Sequence, residues 1–210
     1  LKKLNIIKQI MLKIKDITVY AVLIAIMVIM AFTPLGYIRI GTGIEITLMS
    51  IPVIVGIALS GKKNGLVLGS VFGITSFIQC FGMSAFGTTL MGINPVFTFI
   101  ICIVPRVLMG AGSALIYKLL KKKNVQDNVS ALISFLSAAV LNTLFFVGSF
   151  ILLFGNTEFY SGLETQFATT NVIAFFAAFV GVNGIVETVA AGAFGGAVGK
   201  VITKLKKQAA

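Results

Sequence analysis

The sequence contains no histidine and no tryptophan, and only 11% of its 210 residues are charged. Average globular chains carry about 25% charged residues, so this chain has too little charge to cover a water-exposed surface. Its 58% hydrophobic content also excludes intrinsic disorder, which requires low hydrophobicity. The net charge is +11, but the chain has little polar surface outside the ends of its apolar runs. A nucleic-acid partner is therefore not expected. The composition predicts an all-α protein that spans the lipid bilayer several times.

Residues that carry catalysis or bind metals are also scarce. There is no His-Glu-x-x-His motif, no paired aspartate, and no serine or cysteine with an evident general base, which argues against an intramembrane enzyme. Cys80 and Cys102 lie in or beside apolar segments without metal-ligand spacing, so we interpret them as small apolar residues. Residues 56–62 resemble a phosphate-binding loop, but Lys63 stands where serine or threonine is required. We expect no enzymatic activity, no cofactor and no metal.

Apolar runs separated by turn residues predict six transmembrane helices within a single domain, residues 1–210. Pro52 interrupts the short second span, and Pro105 lies inside the fourth. The last apolar stretch is too long for one untilted span, so we interpret it as a short outer helix followed by a sixth span that begins near Phe179. The predicted ranges are residues 17–32, 46–59, 65–81, 96–117, 129–154 and 171–202.

The lysines predict the orientation of these spans. With six spans, all fifteen lysines fall on one side, which the positive-inside rule makes cytoplasmic together with both termini. The first apolar run continues to spanning length without an A-x-A-like cleavage site, so no cleaved signal peptide is expected. The lysines form four groups: Lys2, Lys3, Lys8, Lys13 and Lys15 before span 1; Lys62 and Lys63; Lys118, Lys121, Lys122 and Lys123; and Lys200, Lys204, Lys206 and Lys207 after span 6.

The two arginines, Arg39 and Arg106, do not follow the lysine pattern. Arg106 comes after Pro105, about ten residues or roughly 15 Å into the fourth span. An arginine at the centre of a membrane helix costs about 2.5 kcal/mol or more, so it requires a partner or a wet cavity. Two interpretations remain open at this point. Arg106 forms a structural ion pair with Glu187, or it binds an anion in a substrate pocket, where its planar fork suits a carboxylate.

Other polar residues are predicted at a similar depth in separate spans. Asn183 and Glu187 share one helix face at i and i+4, and Asn142 is followed by Thr143 in the fifth span. A single intramembrane asparagine more often bonds a neighbouring helix than a ligand, but several converging ones favour a pocket. The predicted substrate-binding residues are Asn94, Arg106, Asn142, Thr143, Asn183 and Glu187.

Small residues recur at four-residue spacing, which flattens a helix face and lets another helix approach closely. Gly65, Gly69 and Gly73 form such a stripe in span 3, and Gly192 and Gly196 form another in span 6. These glycines predict packing inside the bundle. In span 1 the pair Ala21 and Ala25 lies among bulky residues, so this face could instead receive a partner protein.

Taken in order, these motifs resemble the substrate-binding (S) components of energy-coupling factor (ECF) vitamin transporters, particularly the pantothenate-specific ones. The resemblance covers essentially the whole chain. It rests on Ala21-x-x-x-Ala25, on loop 1 (residues 34–41, PLGYIRIG), on Asn94-Pro95, on residues 104–110 (VPRVLMG), on Asn142-Thr143 and on residues 182–187 (VNGIVE). Loop 3, residues 81–93, matches the family poorly.

The resemblance implies a function and partners. It implies a vitamin site that opens outward in the bacterial plasma membrane and is capped by loops 1 and 3. It also implies that Ala21 and Ala25 dock on a transmembrane coupling protein that carries two ATPase subunits, where the ATP is hydrolysed. Pantothenate suits one arginine and several asparagines. The alternatives are another vitamin such as folate or riboflavin, or a stand-alone secondary carrier, although no inverted repeat is evident.

Overall fold

The computed structural model describes residues 2–34, 36–40, 44–60, 62–166, 171, 173–177, 200 and 204. These residues are mainly helical, with one antiparallel hairpin between the first two helices. Residues 173–177 are also helical. The elements in chain order are α1 (Lys2–Ala31), β1 (Tyr37–Ile40), β2 (Ile44–Thr47), α2 (Ser50–Ser60), α3 (Lys62–Gln79), α4 (Ala85–Ile93), α5 (Pro95–Lys122), α6 (Asp127–Phe154) and α7 (Glu158–Gln166).

Helices α5 and α6 form a long pair joined by a tight turn. Lys122 is the last helical residue of α5, and Asn124 adopts a positive φ of 56°. The amide of Asn124 then donates to the carbonyl of Lys121, and the amide of Val125 donates to that of Leu120 at 3.1 Å. This is the Schellman arrangement, which satisfies the last carbonyls of a helix. A 2.9 Å ion pair between Lys121 and Asp127 closes the turn.

Length and composition identify α5 and α6 as helices that can cross a membrane. The described part of the chain also contains three shorter apolar helical stretches, Ile17–Ala31, Ser50–Leu59 and Asn64–Gln79. All five coincide with predicted spans, although the predicted boundaries differ by a few residues. The sixth predicted span lies outside the described residues, as do Gly192 and Gly196.

The glycine stripe of α3 packs directly on α5. A Cβ atom added at Gly65 would collide with the carbonyl oxygen of Gly110, and one added at Gly69 would lie 2.7 Å from the carbonyl oxygen of Arg106. A Cβ at Gly73 would come within 2.9 Å of the Cα of Ile103. The two backbones therefore touch along three turns. The packing that the Gly65, Gly69 and Gly73 spacing predicts is confirmed.

Three local features differ from the sequence interpretation. Pro52 does not interrupt α2, because it lies in the first turn, where amides have no intrahelical acceptor. Loop 1 folds into the β1–β2 hairpin, in which the backbone positions of Arg39 and Glu45 lie opposite each other in the strand register. Loop 3 contains α4, which begins after Ser84, whose hydroxyl accepts the amide of Gly87 at 3.0 Å.

The α3–α5 contact gives a prediction for stability. Gly69→Ala should lower the unfolding midpoint of the purified protein by an amount that corresponds to about 1–3 kcal/mol, because two backbones must separate. Gly148→Ala in α6 is the matched control, since a Cβ atom added at Gly148 would meet no atom of the described residues within 4 Å. That control should unfold at the wild-type temperature or above it. Equal midpoints for the two variants in thermal denaturation would contradict the close packing.

Candidate functional site

Arg106 is buried in α5, with 7% of its surface exposed. Its side chain folds back toward the start of the helix, the usual direction of long helical side chains. There Nη1 donates a 2.7 Å hydrogen bond to the carbonyl oxygen of Ile101. The guanidinium thus lies near the level of Ile101, about 9 Å along the axis from Pro95, although the Cα of Arg106 is deeper. The charge is closer to the start of α5 than the residue number alone suggests.

Two phenylalanine rings enclose the guanidinium. Its Cζ lies 4.6 Å from the ring centroid of Phe146 in α6 and 5.5 Å from that of Phe72 in α3. Rings within about 6 Å attract a cation through their quadrupole. Nε is buried and has no hydrogen-bond partner within the described part of the chain. No carboxylate among those residues pairs with Arg106. The positive charge is partly compensated by rings and one carbonyl.

Tyr37 of the hairpin contacts Phe72, one of the two rings beside the guanidinium. The rings of Tyr37 and Phe72 lie 6.5 Å apart between centroids. Burial raises the pKa of Tyr37 well above its usual range, while the nearby positive charge of Arg106 partly lowers it. The phenol oxygen is buried, and the hydroxyls of Ser76 and Thr75 on α3 lie near it and also partly lower its pKa. The site therefore contains a neutral phenol close to the guanidinium.

Asn142 and Thr143 lie on α6 beside this centre and are both 5% exposed. Asn142 is one helical turn from Phe146, whose ring lies beneath the Arg106 guanidinium. Measured from the turn that joins α5 and α6, the Cα of Asn142 stands at about the same height as the Cα of Arg106, and the guanidinium lies about 7–8 Å farther along, near the level of Ile101. Its Oδ1 is buried without a hydrogen-bond partner inside the described ranges. The structure thus brings three of the six predicted residues, Arg106, Asn142 and Thr143, to one part of the α5–α6 pair.

Asn94 has a structural role that the sequence interpretation did not include. Its Oδ1 accepts the amides of Val96 at 3.0 Å and Phe97 at 3.1 Å, so it caps the start of α5. Its own amide donates to the carbonyl of Leu90 and ends α4. A ligand contact by Asn94 stays a prediction, with its side-chain oxygen already occupied. Asn183 and Glu187 lie outside the described residues, and so does the proposed pairing of Glu187 with Arg106.

A cavity of about 440 Å³ lies where α1, the hairpin and α3 meet. Its volume is within the range of small-molecule pockets, about 300–1,000 Å³. Tyr37 belongs both to the cavity wall and to the surroundings of Arg106. Pro34 and Tyr37 come from loop 1 and Met83 from loop 3, so both predicted capping loops border the cavity. The lining is completed by Ala31, Phe32, Thr33 and Gln79.

Sequence reasoning missed the residues that hold the guanidinium. Phe72 and Phe146 are two of eighteen phenylalanines, and only the position of Phe146 one turn after Asn142 could have marked it. The cysteines were considered separately, yet Cys80 Sγ and Cys102 Sγ lie 3.6 Å apart as buried thiols at the α3–α5 contact. Tyr37 lies in loop 1, for which the sequence predicts a capping loop and no contact near Arg106.

Ala21 and Ala25 lie on the exposed face of α1. Bulky apolar side chains surround them on the same face, with Ile17 66%, Val22 53% and Ile29 62% exposed. The opposite face carries Leu23 and Met27, which belong to the buried core. The described residues therefore leave the alanine face of α1 uncovered.

Comparison with known proteins gives two matches. The family model described as "ECF transporter, substrate-specific component" matches residues 15–193. The pantothenic acid transporter PanT of Lactococcus lactis subsp. cremoris (strain MG1363) is 26% identical over 155 residues, which cover 69% of this chain and 76% of that protein. The family match includes the described helices that frame Arg106 and places the protein in a membrane. The chain belongs to the family of substrate-specific components of ECF transporters.

Proposed function

We propose that this S component captures pantothenate from outside the cell, with Arg106 holding the carboxylate of the vitamin. The observation that carries this proposal is the burial of a guanidinium that no carboxylate of the described residues neutralises. A buried charge requires a counter-charge or hydrogen bonds, and the planar fork of arginine fits a carboxylate. Similarity to a protein named as a pantothenic acid transporter supports the same ligand.

The other proposed contacts use the polar groups near Arg106. Asn142 and Thr143 on α6 would bond the hydroxyl and amide groups of pantothenate, and Asn142 Oδ1 has a free acceptor position among the described residues. Asn183 and Glu187 remain candidate contacts from the last span, and Asn94 would act mainly by fixing the start of α5. Folate would require aromatic stacking for its pterin, and a neutral vitamin such as riboflavin would leave the charge of Arg106 uncompensated.

The proposed topology has six spans, cytoplasmic termini and one domain in the bacterial plasma membrane. In this orientation α3 begins with Lys62 and Lys63 on the cytoplasmic side and ends with Gln79 on the outer side. The cavity at Tyr37 and Gln79 therefore opens outward. Pantothenate would enter there beneath the hairpin and reach Arg106 past the ring of Tyr37. Loops 1 and 3 would then close over it.

Transport would depend on partner subunits. Ala21 and Ala25 would dock on a transmembrane coupling protein bound to two ATPases, and the bundle would reorient against it. A stand-alone secondary carrier is the alternative, and reconstitution separates the two. The purified chain alone in vesicles should bind but not accumulate pantothenate, whereas accumulation without ATPase partners would establish the carrier.

Calorimetric titration of the purified protein with a vitamin panel tests the ligand. Arg106→Gln should weaken pantothenate binding by about 2–5 kcal/mol, or roughly 30-fold or more, because it removes one partner of a buried charge pair. Its effect on panthenol, the neutral alcohol analogue, should be small. Lys118→Gln is the matched control, since it removes the same charge from an exposed position on α5, about 18 Å from Arg106.

Two outcomes would contradict this assignment. Tight binding of another vitamin with no binding of pantothenate would show that the ligand is that other vitamin. Unchanged affinity in Arg106→Gln would return Arg106 to a structural role, and Glu187→Gln identifies that role. If Glu187 neutralises Arg106, Glu187→Gln should destabilise the protein as strongly as Arg106→Gln does, because each leaves one unpaired buried charge.

The docking face gives a separate prediction. Ala25→Trp should abolish copurification of the chain with its coupling protein, because the bulky ring prevents close helix approach. Pantothenate binding by the isolated chain should be unchanged, since Ala25 is exposed on α1 whereas Arg106 is buried on α5. Ile26→Trp is the control, because Ile26 is 42% exposed and lies about 100° around the same helix. Normal copurification of Ala25→Trp with the coupling protein would show that the alanine face of α1 is not the docking surface.

A further inference from the structure

We propose that Pro105 is a positioning residue for Arg106, a role that rests on the proposed anion-binding function. Proline has no amide hydrogen, so within a helix the carbonyl four residues earlier loses its usual donor. For Pro105 that carbonyl belongs to Ile101, which is fully buried. The bond that replaces it comes from the residue directly after the proline, because Arg106 Nη1 donates to Ile101 O at 2.7 Å.

The pairing satisfies two groups that would be costly if left alone. A buried carbonyl without a donor loses about 1–3 kcal/mol, and a buried guanidinium needs acceptors for its five N–H groups. The freed carbonyl fixes one N–H group of the guanidinium, while the ring centroids of Phe146 and Phe72 lie 4.6 and 5.5 Å from its Cζ. Because only one N–H group is anchored, the others stay available to a carboxylate. A preorganised donor of this kind binds without first losing side-chain freedom.

An ordinary residue at position 105 would weaken this anchor. Its amide would donate to Ile101 O in the normal helical pattern and compete with Nη1 for the same oxygen. The guanidinium would then turn more freely between the two rings. Pro105 acts in this way through Arg106 and requires no contact of its own with the ligand.

The affinity experiment compares pantothenate with panthenol in Pro105→Ala. Pantothenate affinity should fall about 2- to 12-fold, as expected when binding must immobilise one flexible side chain that is no longer preorganised. Panthenol affinity should stay at the wild-type value. The loss should disappear when Pro105→Ala is introduced into Arg106→Gln, because the two residues act as a unit. An equal loss for both ligands, or a loss that persists without Arg106, would overturn the proposal.

A ligand-free measurement keeps this inference separate from the identity of the vitamin. The chain has only two arginines, so ¹⁵N-arginine labelling gives two sets of side-chain NMR signals, and Arg39→Lys assigns them. Wild-type Arg106 should show slow rotation about its C–N bonds, with distinct Nη–H signals, and Pro105→Ala should average them. Identical signals in both proteins would overturn the positioning role. If the wild type binds no pantothenate, the proposed ligand fails, while this result still decides the role of Pro105.

Stability supplies the last control. Replacing an interior proline restores a backbone hydrogen bond, so Pro105→Ala should unfold at the wild-type temperature or above. Pro105→Gly restores the same N–H without adding a side chain and should also weaken pantothenate binding. Failure of both variants to fold would overturn the proposal, because it would make Pro105 a determinant of the fold.

Discussion

A single guanidinium enclosed by apolar helices is the constraint on which the site depends. Removing such a charge from water costs several kcal/mol unless other groups replace the lost hydration. Around Arg106 the replacements are one carbonyl and the faces of two phenylalanine rings. Nε remains without a partner among the described residues. Because the described residues compensate the charge only in part, they favour an anion that reaches the group over a neutral molecule of the same size.

The backbone contact between α3 and α5 determines where this compensation occurs. Gly69 lies against the carbonyl oxygen of Arg106, so α3 approaches at the residue that carries the charge. Phe72, three residues later on the same helix, can then reach the guanidinium from one side. A larger side chain at Gly69 would move Phe72 away. The glycine stripe therefore positions a ring that the charge requires, besides packing two helices.

The sequence was sufficient for the features that depend on local pattern. The predicted fourth span begins within one residue of the start of α5, and the glycine spacing predicted the α3–α5 contact. The sequence was insufficient for features that depend on tertiary contacts or on side-chain rotamers. The position of Arg106 in α5 gives the depth of its Cα but not the direction of its side chain. Loop 1 is predicted as a cap, although its sequence also places Tyr-Ile-Arg-Ile and Ile-Glu-Ile-Thr on either side of Gly-Thr-Gly, a pattern typical of a hairpin.

Family and ligand rest on different parts of the chain. The family match spans most of the sequence and depends on the pattern of helices, which many ligands could share. Ligand choice depends on a few side chains within that frame, and 26% identity to one transporter says little about any single one of them. Arg106, Pro105 and Asn142 lie within two helices joined by a tight turn, so their relative positions are set locally. The buried charge of Arg106, more than the fold, is what argues for a carboxylate ligand.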